Sequence, residues 1–214
     1  MNEATGDVLD ARPRWIRAVQ SLILPLGLLA VILGGLWYWD SRGGGGIEDA
    51  YGVVELPEAK NLTGRSPAPE VGRAGPDFLL ERPEGGTLRL SDLQGQPIVL
   101  NFWASWCAPC RAEMPDLVRA YAEYRDDGLE ILAVNLQETN DQVLKFAKEF
   151  GIEFPVVIDR DGELTDIWRL GGPIDGIPTS YFLDENGVVQ DITYGPLTDD
   201  MLTERIGSLL EGVN

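Results

Sequence analysis

Two cysteines occur in the 214 residues, and they stand three apart in Trp106-Cys107-Ala108-Pro109-Cys110. Sulfurs at this spacing can close a small ring by forming a disulfide, or can supply half of a metal clamp. A tetrahedral metal site needs about four ligands, and the chain offers no further cysteine and no histidine to complete one. Two cysteines are also too few for the framework of a small disulfide-stapled scaffold. The pair therefore reads as chemically reactive sulfur. The absence of histidine further excludes imidazole metal sites, His-ligated haem and Ser-His or Cys-His catalytic pairs.

What positions the pair is a buried strand over Pro97–Trp103 and a helix over Cys110–Tyr124. A CxxC between a strand and a helix is the setting of a redox centre. At a helix start, unpaired backbone N–H groups and the helix dipole stabilise a thiolate, so an exposed Cys107 is expected to be the nucleophile. Cys110, one turn further in, is expected to be the less accessible resolving thiol. Pro109 fits the first turn, where its missing N–H costs nothing. Pro115, deeper in the helix, is expected to kink it. Trp103 reads as packing at the strand end, whereas Trp106 is expected to cover the disulfide and join a docking surface.

The remaining pattern alternates strand and helix. Strands are expected at Leu129–Leu136, Phe154–Ile158, Ser180–Leu183 and Val188–Tyr194, and helices at Asp141–Phe150, Glu163–Leu170 and Asp199–Leu210. This alternation predicts an α/β sandwich with parallel strands at its centre. Asn186-Gly187 predicts a tight hairpin and an antiparallel edge. Phe78–Leu80 and Thr87–Leu90, separated by Glu84-Gly85-Gly86, predict a preceding hairpin.

Ahead of this domain, Ala18–Trp39 is a run of 22 residues without a charge. At about 1.5 Å per residue, a helix of that length crosses a hydrocarbon core of about 30 Å. Arg12, Arg14 and Arg17 precede the run, while Asp40 and Arg42 cancel beyond it, which predicts a cytoplasmic N-terminus and a domain outside. Bulky Trp37, Tyr38 and Trp39 stand where a cleaved signal peptide would have small residues. The expected organisation is a cytoplasmic stub at 1–17, a single membrane anchor at 18–39, a flexible linker at 40–74 and a catalytic domain at 75–214. The net charge is −18, and residues 1–42 carry four basic and four acidic side chains, so the excess lies beyond them. Such a polyanion is repelled by phosphate backbones, which excludes nucleic acid as a partner.

Asn101-Phe102-Trp103-Ala104-Ser105-Trp106-Cys107-Ala108-Pro109-Cys110, followed by Arg111-Ala112-Glu113-Met114-Pro115, resembles the TlpA/ResA family of membrane-anchored thioredoxin-like proteins. The likeness continues through Gly176-Ile177-Pro178-Thr179-Ser180-Tyr181-Phe182-Leu183-Asp184 and spans about residues 75–214. It implies a thioredoxin-like fold: a central mixed sheet flanked by helices, an N-terminal β-hairpin and a central β-α insertion at about Leu129–Phe150. It implies an extracytoplasmic thiol–disulfide exchanger in a bacterial cell membrane, usually a reductant of exported proteins such as apocytochrome c. The implied electron donor is a membrane protein of the DsbD or CcdA type. No cofactor beyond a redox-active Cys107–Cys110 disulfide is implied. An X–Pro bond is usually trans, but the family proline matching Pro178 is cis and lies beside the CxxC, with the residue before it, here Ile177, contacting substrate backbone. Glu113, three residues beyond Cys110 on the same helix, matches a glutamate that manages the thiol proton; the bland alternative is a solvated helix carboxylate. Cytoplasmic thioredoxins carry a buried aspartate where this chain has Asn101, which cannot accept a proton, so that role shifts towards Glu113.

Three other functions compete. Peroxiredoxins share the fold, but they need Thr or Ser three residues before the attacking cysteine and proline seven before it, where this chain has Ala104 and Leu100. Copper-delivery relatives need cysteines four apart and a histidine. A non-enzymatic, membrane-tethered binding module with an incidental disulfide is the third.

Overall fold

The computed structural model describes residues 27, 29–34 and 51–212. The chain divides into two units at Glu48–Asp49. In the first, Gly27 and Leu29–Gly34 are helical, and Leu29, Val31, Ile32 and Leu33 are exposed. The expected stub and the rest of the expected anchor lie outside the described residues. Among the described residues, no helix is long and apolar enough to cross a membrane.

The second unit is organised by one mixed sheet of eight strands. In chain order the strands are β1 (Gly52–Val53), β2 (Phe78–Glu81), β3 (Thr87–Arg89), β4 (Ile98–Trp103), β5 (Glu130–Leu136), β6 (Val156–Asp159), β7 (Thr179–Leu183) and β8 (Val189–Tyr194). The helices are α1 (Ala108–Tyr124), α2 (Asn140–Phe150), α3 (Leu164–Ile167) and α4 (Asp199–Glu211). The strands lie in the order β1-β2-β6-β5-β4-β7-β8, with β3 on β2. β4, β5 and β6 run parallel, and β7 and β8 return antiparallel. This is the thioredoxin-like arrangement of a mixed sheet with flanking helices.

All six residues of β4 are buried, because a central strand covered on both faces has no solvent side to alternate towards. The Asn186-Gly187 turn is formed, with Gly187 at φ 73° and its N–H on the Asp184 carbonyl. β2 and β3 form the expected hairpin, with Gly85 and Gly86 at positive φ in the turn. Helix α2 starts at a capping box in which Thr139 and Gln142 satisfy each other's backbone N–H. Helix α1 runs unbroken through Pro115 and packs against α2 and α4.

Several boundaries differ from expectation. β6 begins after Pro155, which has no N–H for the ladder and contributes only its carbonyl, to Ala133. α3 is four residues long rather than spanning 163–170. The chain leaves the helix at Trp168 and passes through a left-handed Arg169 (φ 47°). That exit seats the fully buried Trp168 indole against Phe78, Phe102 and Tyr181. The expected insertion at about Leu129–Phe150 is occupied by β5, which pairs in parallel with β4 and β6, and by α2.

The largest correction concerns the expected linker. From Tyr51 onward the chain is built onto the domain: β1 pairs with β2, Val54 N–H bonds the Asp77 carbonyl, and Gly72 and Arg73 pair with Val189. Ala68 and Ala74 are buried. The physical reason is the unpaired N–H and C=O groups at the sheet's edges, which this segment satisfies through its backbone. Backbone pairing of this kind needs no apolar period.

Candidate active site

Strand β4 ends at Trp103, and the loop Ala104–Trp106 carries the chain to Cys107, the N-cap of α1. Cys107 is extended (φ −79°, ψ 108°), and its Sγ accepts the Cys110 N–H at 3.3 Å, an amide that would otherwise be unpaired in the first turn. Its own N–H bonds the Ala104 carbonyl at 3.2 Å. Cys107 and Cys110 form a disulfide with an S–S distance of 2.10 Å and Cα atoms 5.3 Å apart. Pro109 occupies the first turn as expected.

Both cysteines are fully buried, which corrects the expectation of an exposed Cys107. A disulfide sulfur carries no charge and packs as an apolar atom, so in this oxidised state nothing draws Cys107 towards water. The exposed member of the motif is Trp106, at 54%.

The Ile177–Pro178 peptide bond is cis, as the resemblance implied. Thr179, the first residue of β7, fixes the approach to it: its Oγ1 accepts the N–H groups of Gly171 and Gly172 and donates to the Gly176 carbonyl at 2.7 Å. The Pro178 carbonyl accepts the Gly195 N–H at 2.9 Å. Ile177, expected to meet substrate, is fully buried, and both its backbone groups are engaged. Its N–H donates to the Ile174 carbonyl at 2.9 Å, and its carbonyl accepts the Ile174 N–H at 3.0 Å. The intervening Asp175 (φ 49°) and Gly176 (φ 86°) make a tight hairpin turn of the kind Asp-Gly favours, a signal that was readable in the sequence.

Glu113 is 1% exposed. Its Oε1 accepts the Asn101 side-chain amide at 2.9 Å, and its Oε2 accepts the Leu197 N–H at 2.7 Å. β4 and the turn before α4 thus meet at this carboxyl on α1, and β7 joins them through Asn101, which also donates to Ser180 Oγ at 2.9 Å. Burial strips the charged form of water and pushes the Glu113 pKa up to about 7, against the opposing pull of the Leu197 and Asn101 donors. A solvated surface glutamate is thereby ruled out at this position. A carboxyl that titrates near neutrality can both take and give a proton under working conditions.

Sequence reasoning missed Glu138, a second buried carboxylate, which accepts the Ser105 N–H and the Asn135 side-chain amide, each at 2.7 Å, and the Ser105 hydroxyl. Nothing in the local pattern after β5 marks it, because Ser105, which ties it to the active-site loop, is 33 residues away.

Comparison with known proteins bears on this geometry. The model of the AhpC/TSA family matches residues 71–192. The thiol–disulfide oxidoreductase ResA of Oceanobacillus iheyensis is 45% identical over 136 residues, covering 62% of this chain and 69% of that protein. The ResA of Geobacillus thermodenitrificans is 40% identical over 139 residues, covering 65% and 78%. The chain is a ResA-like member of the AhpC/TSA family. A crystal structure from Chlorobium tepidum, assigned as a thiol:disulfide interchange protein DsbE, superposes with a TM-score of 0.60 at 34% identity, covering 66% of this chain and 98% of that one. A CxxC disulfide at the head of α1 in this thioredoxin-like fold makes the ResA-like chain a thiol–disulfide oxidoreductase.

Proposed function

We propose that the chain acts outside the cytoplasm as a reductant of disulfides in exported proteins, apocytochrome c among them. It is held in a bacterial cell membrane by a single helix over Ala18–Trp39, with residues 1–17 in the cytoplasm. The uncharged 22-residue run behind Arg12, Arg14 and Arg17 supports the anchor and its direction. The observation that carries the chemical reading is the Cys107–Cys110 disulfide in the first turn of α1, one turn before the buried carboxyl of Glu113.

In the reduced protein, the Cys107 thiolate attacks one sulfur of a client disulfide, and the client's other sulfur leaves and takes up a proton. Cys110 gives its proton to Glu113 and attacks Cys107 Sγ. The client's second sulfur then departs as a thiolate and is protonated, and the Cys107–Cys110 disulfide is restored. Two electrons pass to the client, and a membrane dithiol donor of the DsbD or CcdA type returns them. Trp106, Ile177 and Pro178 form the client-facing side, and Ile177 becomes available to a client strand once Ile174 moves off it. Peroxide reduction is disfavoured by Leu100 and Ala104, apolar at the positions where a peroxidatic site needs proline and a hydroxyl.

The test uses the full chain in detergent micelles with dithiothreitol and insulin. Insulin reduction should depend on Cys107, and equal turnover by Cys107→Ala would favour a binding module instead. A reductant should have a potential nearer that of thioredoxin, about −270 mV, than that of DsbA, about −120 mV. Alkaline phosphatase fused after Asn214 should be active, and a fluorescent green fluorescent protein at the same point would overturn the topology.

A further inference from the structure

The loop between β4 and α1 is held by side chains from outside it, and the hold converges on Ser105. Glu138 Oε2 accepts the Ser105 N–H at 2.7 Å, and Glu138 Oε1 accepts the Ser105 hydroxyl. On the other side, Arg111 donates to the Ser105 carbonyl at 3.4 Å. The N–H and hydroxyl of a residue two positions before Cys107 are thus tied to Glu138, and its carbonyl to Arg111 on α1.

Both partners are themselves fixed. Glu138 is buried, accepts the Asn135 side-chain amide at 2.7 Å and donates its own N–H to Asn135 Oδ1 at 3.3 Å. It follows Gln137, which adopts a left-handed φ of 59° that a non-glycine residue seldom takes. Such a conformation persists only where the surroundings enforce it, and here it turns the chain at the end of β5 immediately before the carboxylate. Arg160 donates to the Glu138 carbonyl at 3.5 Å. The Arg111 guanidinium lies 5.1 Å from the ring centres of both Phe146 and Phe150 and pairs with Glu149 at 2.5 Å. The exchange chemistry at the two sulfurs uses none of these groups.

We infer that Glu138 is a positioning residue for thiol–disulfide exchange, acting through Ser105. With Ser105 anchored, the Ala104–Cys107 turn has no slack, so Cys107 is kept at the N-cap, where the amides of α1 stabilise its thiolate, and Trp106 is presented in one orientation. The inference rests on the exchange activity at Cys107, which the Cys107→Ala assay tests separately.

Two variants of the full chain decide it, read by the pH profile of Cys107 alkylation by iodoacetamide in the reduced protein and by the redox equilibrium with glutathione. Glu138→Gln keeps the shape but turns a hydrogen-bond donor towards donors, while Ser105→Ala removes one bond and no charge. The alkylation midpoint should rise in both, by about half a unit or more in Glu138→Gln and less in Ser105→Ala. The redox equilibrium constant should shift at least about threefold in Glu138→Gln. Removing a nearby negative charge has the opposite sign, because it favours the thiolate. A midpoint that falls in Glu138→Gln and stays constant in Ser105→Ala would therefore reduce the effect to bare charge and overturn the inference. Unchanged midpoints and equilibrium constants alongside a lower unfolding midpoint would make Glu138 a structural residue only, and would overturn it as well. Should Glu138→Gln fail to fold, Ser105→Ala alone decides on the direction of its midpoint.

Discussion

Asn101 on β4 donates its side-chain amide to the carboxyl of Glu113 on α1 at 2.9 Å, inside a region that water does not reach. Burial of that carboxyl, which the contact only partly offsets, makes the folded state sensitive to pH. The Glu113 pKa is raised from 4.5 to about 7 on folding, chiefly by burial, so the fold favours the protonated form. The resulting stability is fully present below about pH 4.5 and is lost as pH rises through about 7. A shift of that size corresponds to about 3 kcal/mol. Urea unfolding of the oxidised protein from about pH 4 to about pH 8 should show this fall, and Glu113→Gln should flatten it. An equally steep fall in the variant would assign the dependence to other groups.

Glu113→Gln should also change the pH profiles of Cys107 and Cys110 alkylation in the reduced protein while leaving the fold intact. The change should exceed that of neutralising Glu123, which is exposed. Identical profiles would leave the carboxyl without a part in proton transfer.

Asn101→Asp would bring a second carboxyl to within hydrogen-bonding distance of Glu113. Two buried like charges cannot both ionise cheaply, so one pKa of the pair should rise further. The expected result is a loss of about 2 kcal/mol or more at about pH 8, easing as pH falls and the pair shares a proton. Urea midpoints at about pH 5 and about pH 8 check this, and a loss independent of pH would point to packing instead.

The two cysteines should fail differently. Cys107→Ser should abolish exchange with client disulfides, whereas Cys110→Ser should leave a long-lived mixed disulfide, because the resolving attack is gone. Non-reducing gels after mixing with oxidised insulin separate these outcomes. Trapping by Cys107→Ser alone would reverse the assignment.

Gly172 lies against the cis-proline segment so closely that a Cβ there would stand 2.3 Å from the Pro178 carbonyl oxygen and 2.5 Å from the Ile177 carbonyl carbon. Gly172→Ala must therefore displace Ile177 and Pro178. Insulin reduction should fall about tenfold or more, while Cys107 alkylation by iodoacetamide, which needs no client groove, should change less than about threefold. Equal losses in both assays would mean that the displacement reaches the sulfurs.

The reactive pair, the strand before it and the helix after it were legible because their signals are local. Cys107 and Cys110 are three residues apart, the apolar run at 97–103 spans one strand, and Asn186-Gly187 forms its turn alone. Pro178 needed a resemblance, since the residues around it do not determine the isomer of its peptide bond. What the sequence could not convey is who meets whom across the fold. Glu113 is singled out by the resemblance, but its neighbours in sequence do not show that β4 and the turn at Leu197 close around it and remove its water. Ile177 reads as a free edge until Ile174 folds back on it. Glu138 and Ser105 are 33 residues apart and share no period. Residues 51–74 look like a linker because they attach to the sheet edges through backbone groups, which every residue type carries alike. Side-chain type and spacing determined which chemistry the chain holds. Its buried proton site, its covered Ile177 and its fixed active-site loop were decided by tertiary structure, because desolvation and long-range hydrogen bonding exist only once distant segments pack.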